Sequence, residues 1–265
     1  MPIVDSPRAV VTGAGSGLGR AFCLELARNR RARVLCADID EAAAKRTAAE
    51  IGGVATRCDV ARIEEVEALA DTAQRELGGV DLVINNAGVA VGGRVGEVAL
   101  DDWRWIMGVN LWGVIHGCHV FAPQLRAQGS GHILNVASAA GLLAPPGMAP
   151  YNVTKAAVVA LSETLRGELR DAGVGVTVLC PTFFRTNIAA SSRAVDGKQR
   201  AFVEKLMARS KVQADDVARL SLDAAAHDEL YALPHADGRW MWRLKRWAPS
   251  SYASLTARVA SRVLR

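Results

Sequence analysis

Short, mostly apolar segments, many of them rich in β-branched residues, alternate along the chain with longer segments whose apolar residues recur at helical spacing. Mostly apolar segments of this length are typical of strands buried on both faces of a sheet. They predict strands at 9–12, 32–37, 54–58, 80–85, 132–137, 174–180 and 229–233. Helical periodicity predicts helices at 18–30, 41–51, 62–77, 101–128, 151–172, 199–209 and 214–226. This alternation predicts a doubly wound α/β domain with a mostly parallel seven-stranded sheet and helices on both faces.

No proline- or glycine-rich linker divides this pattern, so residues 1–237 are expected to form one domain. Within it, the loop and helix at 187–211 follow the sixth strand, where a lid over a bound substrate is common. Residues 238–265 are expected to form a basic, tryptophan-containing extension of the same domain.

Four glycines cluster where the first predicted strand leads into the first predicted helix: Gly13, Gly15, Gly17 and Gly19. A glycine-rich turn lets backbone N–H groups approach a pyrophosphate at the positive end of the following helix. The strict GxGxxG spacing is not met, because Leu18 stands three residues after the second glycine. The turn alone therefore also fits a plain strand-to-helix connection.

Asp38 ends the second predicted strand, nineteen residues after Gly19. A carboxylate there is expected to accept hydrogen bonds from an adenosine ribose and to repel a 2′-phosphate. The next residue is Ile39 rather than a basic residue, which favours NAD over NADP. Asp40 is an alternative candidate for the same role.

A tyrosine, a lysine and a serine form the candidate catalytic group. Tyr151 and Lys155 are four residues apart, which on a helix places their Cβ atoms about 5–6 Å apart on one face. The ammonium is expected to favour the phenolate and to lower the pKa of the tyrosine, ordinarily about 10. Ser138, thirteen residues before the tyrosine, would hydrogen-bond the oxygen on which charge develops. Together the three predict proton transfer between an alcohol and a carbonyl.

Composition narrows the class of protein. Half of the residues are hydrophobic and 22% are charged, as in a globular protein with a substantial core. The N-terminal residues lack a secretory-signal pattern, and no apolar stretch reaches the roughly 18 residues of a membrane span. Five cysteines without CxxC spacing are expected to be reduced core residues rather than metal ligands: Cys23, Cys36, Cys58, Cys118 and Cys180. We therefore expect a cytoplasmic protein without a metal.

The net charge of +5 is unevenly distributed. From Gly238 onward there are seven basic residues and no acidic residue, so residues 1–237 carry a net charge of −2. The basic character belongs to the tail, and no nucleic-acid partner is expected.

These motifs resemble those of the short-chain dehydrogenase/reductase family over about residues 8–226. The family's TGxxxGxG pattern begins at Thr12, CDV occupies 58–60, NNAG occupies 85–88, and Tyr151 and Lys155 match its YxxxK. The resemblance implies a Rossmann fold and hydride transfer between NAD(H) and a secondary alcohol or ketone. It also implies a homodimer or homotetramer joined through the helices at 101–128 and 151–172.

The resemblance further implies roles for individual residues. The implied catalytic residues are Asn110, Ser138, Tyr151 and Lys155, with Asn110 holding a proton-relay water through its backbone. The implied cofactor-binding residues are Gly13, Ser16, Gly17, Leu18, Gly19, Asp38, Asp59, Val60, Asn86, Ala87, Gly88, Tyr151, Lys155, Pro181 and Thr186. Thr182 stands where the family often has glycine, and the end of the last strand lacks the family's frequent VDGG.

Apolar residues near these motifs are expected to line a substrate pocket. They are Val89, Ala90, Val91, Leu142, Leu143, Met148, Phe183 and Phe184. A hydrophobic substrate follows, although several of these side chains equally fit a role in the core.

The tail has three alternative interpretations. Tyr252, Leu255, Val259 and Val263 recur at spacings that indicate an amphipathic helix, with arginines on another face. Residues 239–265 would cover the substrate entrance, pack against another subunit, or make a weak contact with an anionic membrane surface. For the whole chain, an NADP-dependent ketoreductase and a non-catalytic cofactor-sensing protein are the alternatives to an NAD-dependent enzyme.

Overall fold

The computed structural model describes residues 3, 5–186, 188, 192–194 and 197–263, with the backbone alone for 197–200, 202 and 259–263. Part of the predicted lid at 187–211 therefore lies outside the described residues. So do the side chains of Val259 and Val263, which the amphipathic pattern of the tail included.

The described strands form one seven-stranded sheet in the order β3-β2-β1-β4-β5-β6-β7, and each pairing between neighbours is parallel. The strands are β1 (Arg8–Thr12), β2 (Arg33–Asp38), β3 (Val54–Arg57), β4 (Leu82–Asn85), β5 (Gly131–Val136), β6 (Val174–Leu179) and β7 (Tyr231–Ala232). The predicted doubly wound α/β fold is confirmed, and the strands lie close to their predicted positions.

Helices connect consecutive strands and cover both faces of the sheet, and the last two helices follow β7. The helices are α1 (Gly17–Arg30), α2 (Glu41–Ile51), α3 (Ile63–Leu77), α4 (Leu100–Met107), α5 (Gly113–Gln128), α6 (Ala139–Leu143), α7 (Ala149–Leu169), α8 (Gly197–Arg209), α9 (Ala214–Ala226), α10 (Ala236–Trp247) and α11 (Pro249–Val263). A π-helical segment, Gly108–Trp112, joins α4 to α5, and a 3₁₀ turn, Arg170–Ala172, follows α7.

Two hydrophobic layers hold the helices against the sheet. On one face α3, α5 and α7 contribute side chains such as Val66, Phe121 and Val158. On the other, α1, α2 and α9 contribute side chains such as Phe22 and Val217. All five cysteines are buried and free, which confirms that they are core residues.

The prediction of a single helix over 101–128 is wrong in one respect, because the π-helical segment interrupts it. A π-helical turn adds one residue to the helical repeat, and such turns occur frequently at functional sites. The sequence also did not predict α6 or α10. Five residues are too few for α6 to show a helical period, and α10 lies in the segment that was treated only as an extension.

The topology fixes where a ligand can bind. The chain runs outward from β1 to β3 and then returns to place β4 on the other side of β1. Ligands of open α/β sheets bind at this reversal, beyond the carboxyl ends of the strands. The glycine turn, Asp38, NNAG and Ser138 all follow strands at this edge.

Candidate active site

The turn after β1 is shaped for a close approach of backbone to ligand. Gly13 and Gly17 have φ values of +65° and +52°, a region that favours glycine. A Cβ atom on Gly19 would overlap the carbonyl oxygen of Gly13, whereas one on Gly17 would meet nothing nearer than Thr186 Cβ at 3.9 Å. A Cβ atom on Gly13 would lie 2.9 Å from Ala87 Cα. Packing therefore requires glycine at positions 13 and 19, whereas the space beside Gly17 is open.

The amino end of α1 is suited to an anion. Its first turn has no acidic residue, and Ser16 at the N-cap makes no side-chain capping hydrogen bond. The side chain of Leu18 is buried in the core, so only its backbone faces the turn. Helix N-terminal N–H groups that lack an internal partner bind phosphate groups readily.

Asp38 lies beside the glycine turn. Its Oδ2 accepts a hydrogen bond from the Gly15 backbone N–H at 2.8 Å, and its Oδ1 accepts one from Asp40 N–H at 3.0 Å. Asp40 itself caps α2 by accepting from Ala43 N–H. Asp40 therefore has a structural role, and Asp38 is the carboxylate next to the ligand-binding turn.

The segment after β4 is tied to the same turn. The Asn86 side-chain amide donates to Thr12 O and Gly13 O at 2.7 and 3.2 Å. The backbone N–H groups of Asn86 and Ala87 donate to Thr12 Oγ1. This role of the Thr12 hydroxyl was not among the sequence predictions, although a polar residue at the end of a buried strand is a signal for it.

Two further predicted cofactor residues lie after β3. Asp59 Oδ1 accepts from Ala61 N–H at 3.0 Å, which shapes the turn into α3. Val60 is buried, and a Cβ atom on Gly113 of α5 would lie 2.7 Å from its Cγ2. The structure thus places both residues in the turn after β3, next to the edge that holds the glycine turn.

Ser138, Tyr151 and Lys155 come together between β5 and α7. Ser138 is the N-cap of α6, where its Oγ accepts from Ala140 N–H at 3.1 Å. Lys155 is 3% exposed, its Nζ donates to Val136 O at 2.8 Å, and it lies 5.8 Å from the centroid of the Tyr151 ring. The ammonium therefore points into the protein, where it can act on the phenol.

Burial dominates the electrostatics of this pair. It raises the pKa of the Tyr151 phenol, and a hydrogen bond with Ser138 opposes the shift only in part. It lowers the pKa of Lys155 from 10.5 to about 8, so the amine is still mostly protonated at neutral pH. We expected Lys155 to lower the pKa of Tyr151, and this expectation is wrong for the chain without bound ligands. The pKa of Tyr151 is raised, because the loss of solvation is the largest influence on the phenolate.

Asn110 holds the wall of the site. It is fully buried in the π-helical segment, its Oδ1 accepts from Val89 N–H and its Nδ2 donates to Val89 O, both at 2.8 Å. Its Nδ2 also lies 3.5 Å from Thr154 Oγ1 on α7. The side chain is therefore engaged in fixing the segment after β4, and the predicted role for its backbone remains a prediction.

The loop after β6 carries an unsatisfied group. Thr186 Oγ1 is buried and has no hydrogen-bond partner among the residues that the structure describes, which is uncommon for a buried hydroxyl. Pro181, also predicted to bind the cofactor, is buried, and its carbonyl accepts from Ala139 N–H. Thr182 directs its side chain to Asp237 at 3.3 Å, so its replacement of glycine serves a contact with the C-terminal tail.

The predicted pocket residues fall into two groups. Val91 belongs to a small apolar cluster that Tyr151 also contacts. Two residues further on, Gly93 forms a β-bridge with Met148, and its N–H donates to Gly147 O. Leu142 is half-buried, Leu143 is buried, and Phe183 is 36% exposed. Phe184 packs in the core and against the His235 ring, and its assignment to the pocket remains a prediction.

The residues present fit a bound dinucleotide. The open side of Gly17 and the uncapped amino end of α1 suit a pyrophosphate, and Asp38 suits a ribose diol. The unpartnered Thr186 hydroxyl suits a polar group such as a carboxamide. Among the described residues, no group of three or more His, Cys, Asp or Glu side chains is arranged to hold a metal ion.

The fold and the residues at this edge of the sheet define a Rossmann-type α/β domain. A family profile for short chain dehydrogenases matches residues 7–197. A crystal structure of a short-chain dehydrogenase/reductase from Burkholderia phymatum in complex with NAD is 40% identical, covers 93% of this chain and 95% of its own, and has a TM-score of 0.86. The chain belongs to the short-chain dehydrogenase family.

Two curated relatives add detail. The 1-deoxy-11-beta-hydroxypentalenate dehydrogenase of Streptomyces exfoliatus is 37% identical over 87% of this chain and 84% of its own length. The probable oxidoreductase EphD of Mycobacterium tuberculosis is 40% identical over 78% of this chain, and the chain spans 37% of the length of EphD.

Proposed function

We propose that this chain transfers a hydride between NAD(H) and a hydrophobic secondary alcohol or ketone, with Tyr151 as the general acid/base. The observation that carries the proposal is that the half-buried Ser138 and Tyr151 and the buried Lys155 lie together at the edge of the sheet that holds the glycine turn. A buried lysine that retains its positive charge next to a phenol is costly to maintain, and such groups concentrate at catalytic sites.

The bound nicotinamide would supply or accept the hydride. In the reduction direction Tyr151 gives its proton to the carbonyl oxygen, and in the oxidation direction its phenolate takes the proton of the hydroxyl. Ser138 donates a hydrogen bond to the substrate oxygen, and the Lys155 ammonium stabilises the phenolate form. Asn110 keeps the segment after β4 in place and anchors, through its backbone, the route by which the proton exchanges with solvent.

NAD rather than NADP is the proposed cofactor. Asp38 is ordered by Gly15 N–H at the turn and would accept hydrogen bonds from ribose hydroxyls. Ile39 follows it with 60% exposure and offers no positive charge to a 2′-phosphate. The NAD complex of the related Burkholderia protein supports the same choice.

A hydrophobic substrate is supported by the apolar surroundings of Tyr151. Val91 and its cluster lie on one side, and Leu142 and Met148 belong to the segment between Ser138 and Tyr151. The related Streptomyces protein is named 1-deoxy-11-beta-hydroxypentalenate dehydrogenase, which supports a substrate that carries a hydroxyl group.

The test is a spectrophotometric screen of NAD reduction against aliphatic, aromatic, terpenoid and steroid alcohols. Tyr151→Phe is the matched control, since it removes only the hydroxyl. We expect turnover by the wild type and a loss of about 100-fold or more in the variant, because general acid–base catalysis contributes at least that much. NADH binding, measured by fluorescence, should persist in the variant. Activity of Tyr151→Phe within about tenfold of the wild type would defeat the role of the tyrosine.

The same screen separates the alternatives. A preference for NADP would favour the NADP-dependent ketoreductase, and NADH binding without turnover of any alcohol or ketone would favour a cofactor-sensing protein. The four implied catalytic residues are all present, which supports an enzyme.

We also infer a homodimer or homotetramer joined through α4–α5 and α7. Trp112 and Val153, which are 52% and 47% exposed, give these helices apolar surface for a second copy. Light scattering after size exclusion measures the mass directly, and a monomer at micromolar concentration would contradict this assembly.

A further inference from the structure

The short helix α6 begins at a catalytic residue. Ser138 is its N-cap, and the helix has only five residues. A single helical turn is unstable by itself, and its last carbonyl groups have no partner within the helix. Whatever satisfies those carbonyls therefore helps to hold Ser138.

Helix α6 also rests on the backbone of α7 beside the catalytic lysine. A Cβ atom on Gly141 would lie 2.5 Å from Lys155 O and 2.8 Å from Ala156 N. The two helices are thus in direct backbone contact, and a displacement of α6 would change how Ser138 faces Tyr151.

The C-terminal tail supplies the missing partners. Lys245 Nζ, on α10, donates to Leu142 O at 2.6 Å, and Tyr252 OH, on α11, donates to Leu143 O at 3.0 Å. Tyr252 is 6% exposed and packs with Ala139 and Leu143. A cation at a helix carboxyl end is favourable, because the exposed carbonyls carry partial negative charge.

The rest of α10 secures this arrangement. Its Trp242 ring lies 5.0 Å from the ring of Tyr231, and its amino end meets Thr182 through Asp237. A Cβ atom on Gly238 would lie 2.8 Å from Thr182 Cγ2, so α10 lies directly against the loop after β6. The tail therefore spans from that loop to the carboxyl end of α6.

We propose that Lys245 and Tyr252 are positioning residues, which bind the carbonyls at the end of α6 and thereby hold Ser138 against Tyr151. The consequence for catalysis rests on the proposed function, whereas the effect on α6 does not. The inner face of the basic tail is thus part of the active-site scaffold, rather than a separate appendage.

Hydrogen exchange tests the structural half on the full chain, without a substrate. We expect the double variant Lys245→Met/Tyr252→Phe to exchange its amides at 138–145 about tenfold faster or more, since each substitution removes a hydrogen bond that closes α6. Residues 8–30, which include β1 and α1, should exchange as in the wild type. Arg243→Met, an exposed arginine of the same helix, is the matched control and should leave 138–145 unchanged. Unchanged exchange at 138–145 in the double variant overturns the proposal.

Kinetics with the best alcohol of the NAD screen tests the catalytic half. The double variant should lose kcat about tenfold while the Kd for NADH stays the same, because the glycine turn is not touched. The pH profile of kcat should shift to higher pH, since Ser138 is the group that lowers the pKa of Tyr151. The single variant Lys245→Arg, in which Tyr252 is unchanged and the positive charge is kept, should have a kcat between those of the double variant and the wild type.

The outcomes of these two experiments separate the effect of the tail on α6 from the effect of α6 on catalysis. Faster exchange at 138–145 with unchanged kcat and an unchanged pH profile overturns the positioning role. A wild type that turns over no substrate defeats the proposed function instead, and hydrogen exchange then still decides whether the tail holds α6.

Discussion

The buried Lys155 predicts an unusual dependence of stability on pH. Its ammonium is removed from solvent, and this lowers its pKa from 10.5 in the unfolded chain to about 8 in the folded protein. Between these two values the unfolded chain binds more protons than the folded one, so stability rises with pH. The contribution of Lys155 is complete above the unfolded pKa and is lost as the pH falls through the folded pKa.

The size of the effect follows from the two pKa values. Their full separation corresponds to about 3 kcal/mol in the free energy of unfolding. Between pH 7 and pH 9, where only part of that separation is covered, the expected gain is about 1 kcal/mol. The window stays below the ordinary pKa of tyrosine, so ionisation of Tyr151 does not enter.

Urea denaturation of the wild type and Lys155→Met at the two pH values isolates this contribution. The variant keeps the apolar stem and removes the amine, and subtracting its unfolding free energy cancels all groups that titrate equally in both proteins. Lys45→Met, on the exposed side of α2, controls for the loss of one positive charge. A difference between wild type and Lys155→Met that is the same at both pH values, or that falls with pH, would refute the buried-amine argument.

Three other substitutions or assays test neighbouring parts of the site. Asp38→Asn keeps the contact with the glycine turn but removes the charge, so the ratio of kcat/KM for NAD to kcat/KM for NADP should fall about tenfold or more. The control Asp40→Ala should leave that ratio unchanged and should lower the free energy of unfolding by about 1 kcal/mol, because it removes the cap of α2. Thr186→Val removes a buried hydroxyl that has no partner among the described residues, so we expect the free energy of unfolding to rise by about 1 kcal/mol. The Kd for NADH, measured by fluorescence titration, should also rise, and an unchanged Kd would contradict a contact between Thr186 and the cofactor. The exposed Trp240 and Trp247 on α10 predict weak binding to phosphatidylglycerol vesicles at low salt, and sedimentation without bound protein would remove the membrane interpretation.

Much of the fold could be predicted because burial on both faces leaves a strong record in the sequence. Strands such as 132–137 are apolar almost throughout, and the observed β5 lies within one residue of that range. Glycine positions were equally informative where packing requires them, as at Gly13 and Gly19. Both signals depend on local sequence, which is why they can be recognised without coordinates.

Contacts between distant segments could not be predicted in the same way. The amphipathic pattern of the tail indicated a helix, but nothing in it pointed to the carbonyls of Leu142 and Leu143 as its target. Tyr252 of the tail is buried against α6, and the three interpretations of the tail (a cover over the substrate entrance, a subunit contact and a membrane contact) all remain predictions. None of the described helices is long and apolar enough to cross a membrane.

The pKa of Tyr151 shows why spacing alone gives an incomplete account of a catalytic pair. A four-residue separation on a helix establishes proximity, and from proximity to an ammonium one expects a more acidic phenol. The structure adds that Lys155 is buried and Tyr151 is half-buried, and the loss of solvation disfavours the charged form of each. In such a site the remaining hydrogen bonds decide how accessible the phenolate is, and the one from Ser138 lowers the pKa of the phenol. Proton transfer therefore depends on how well α6 holds Ser138 in place, and so on the contacts of Lys245 and Tyr252 with α6. The YxxxK spacing gives no indication of this dependence.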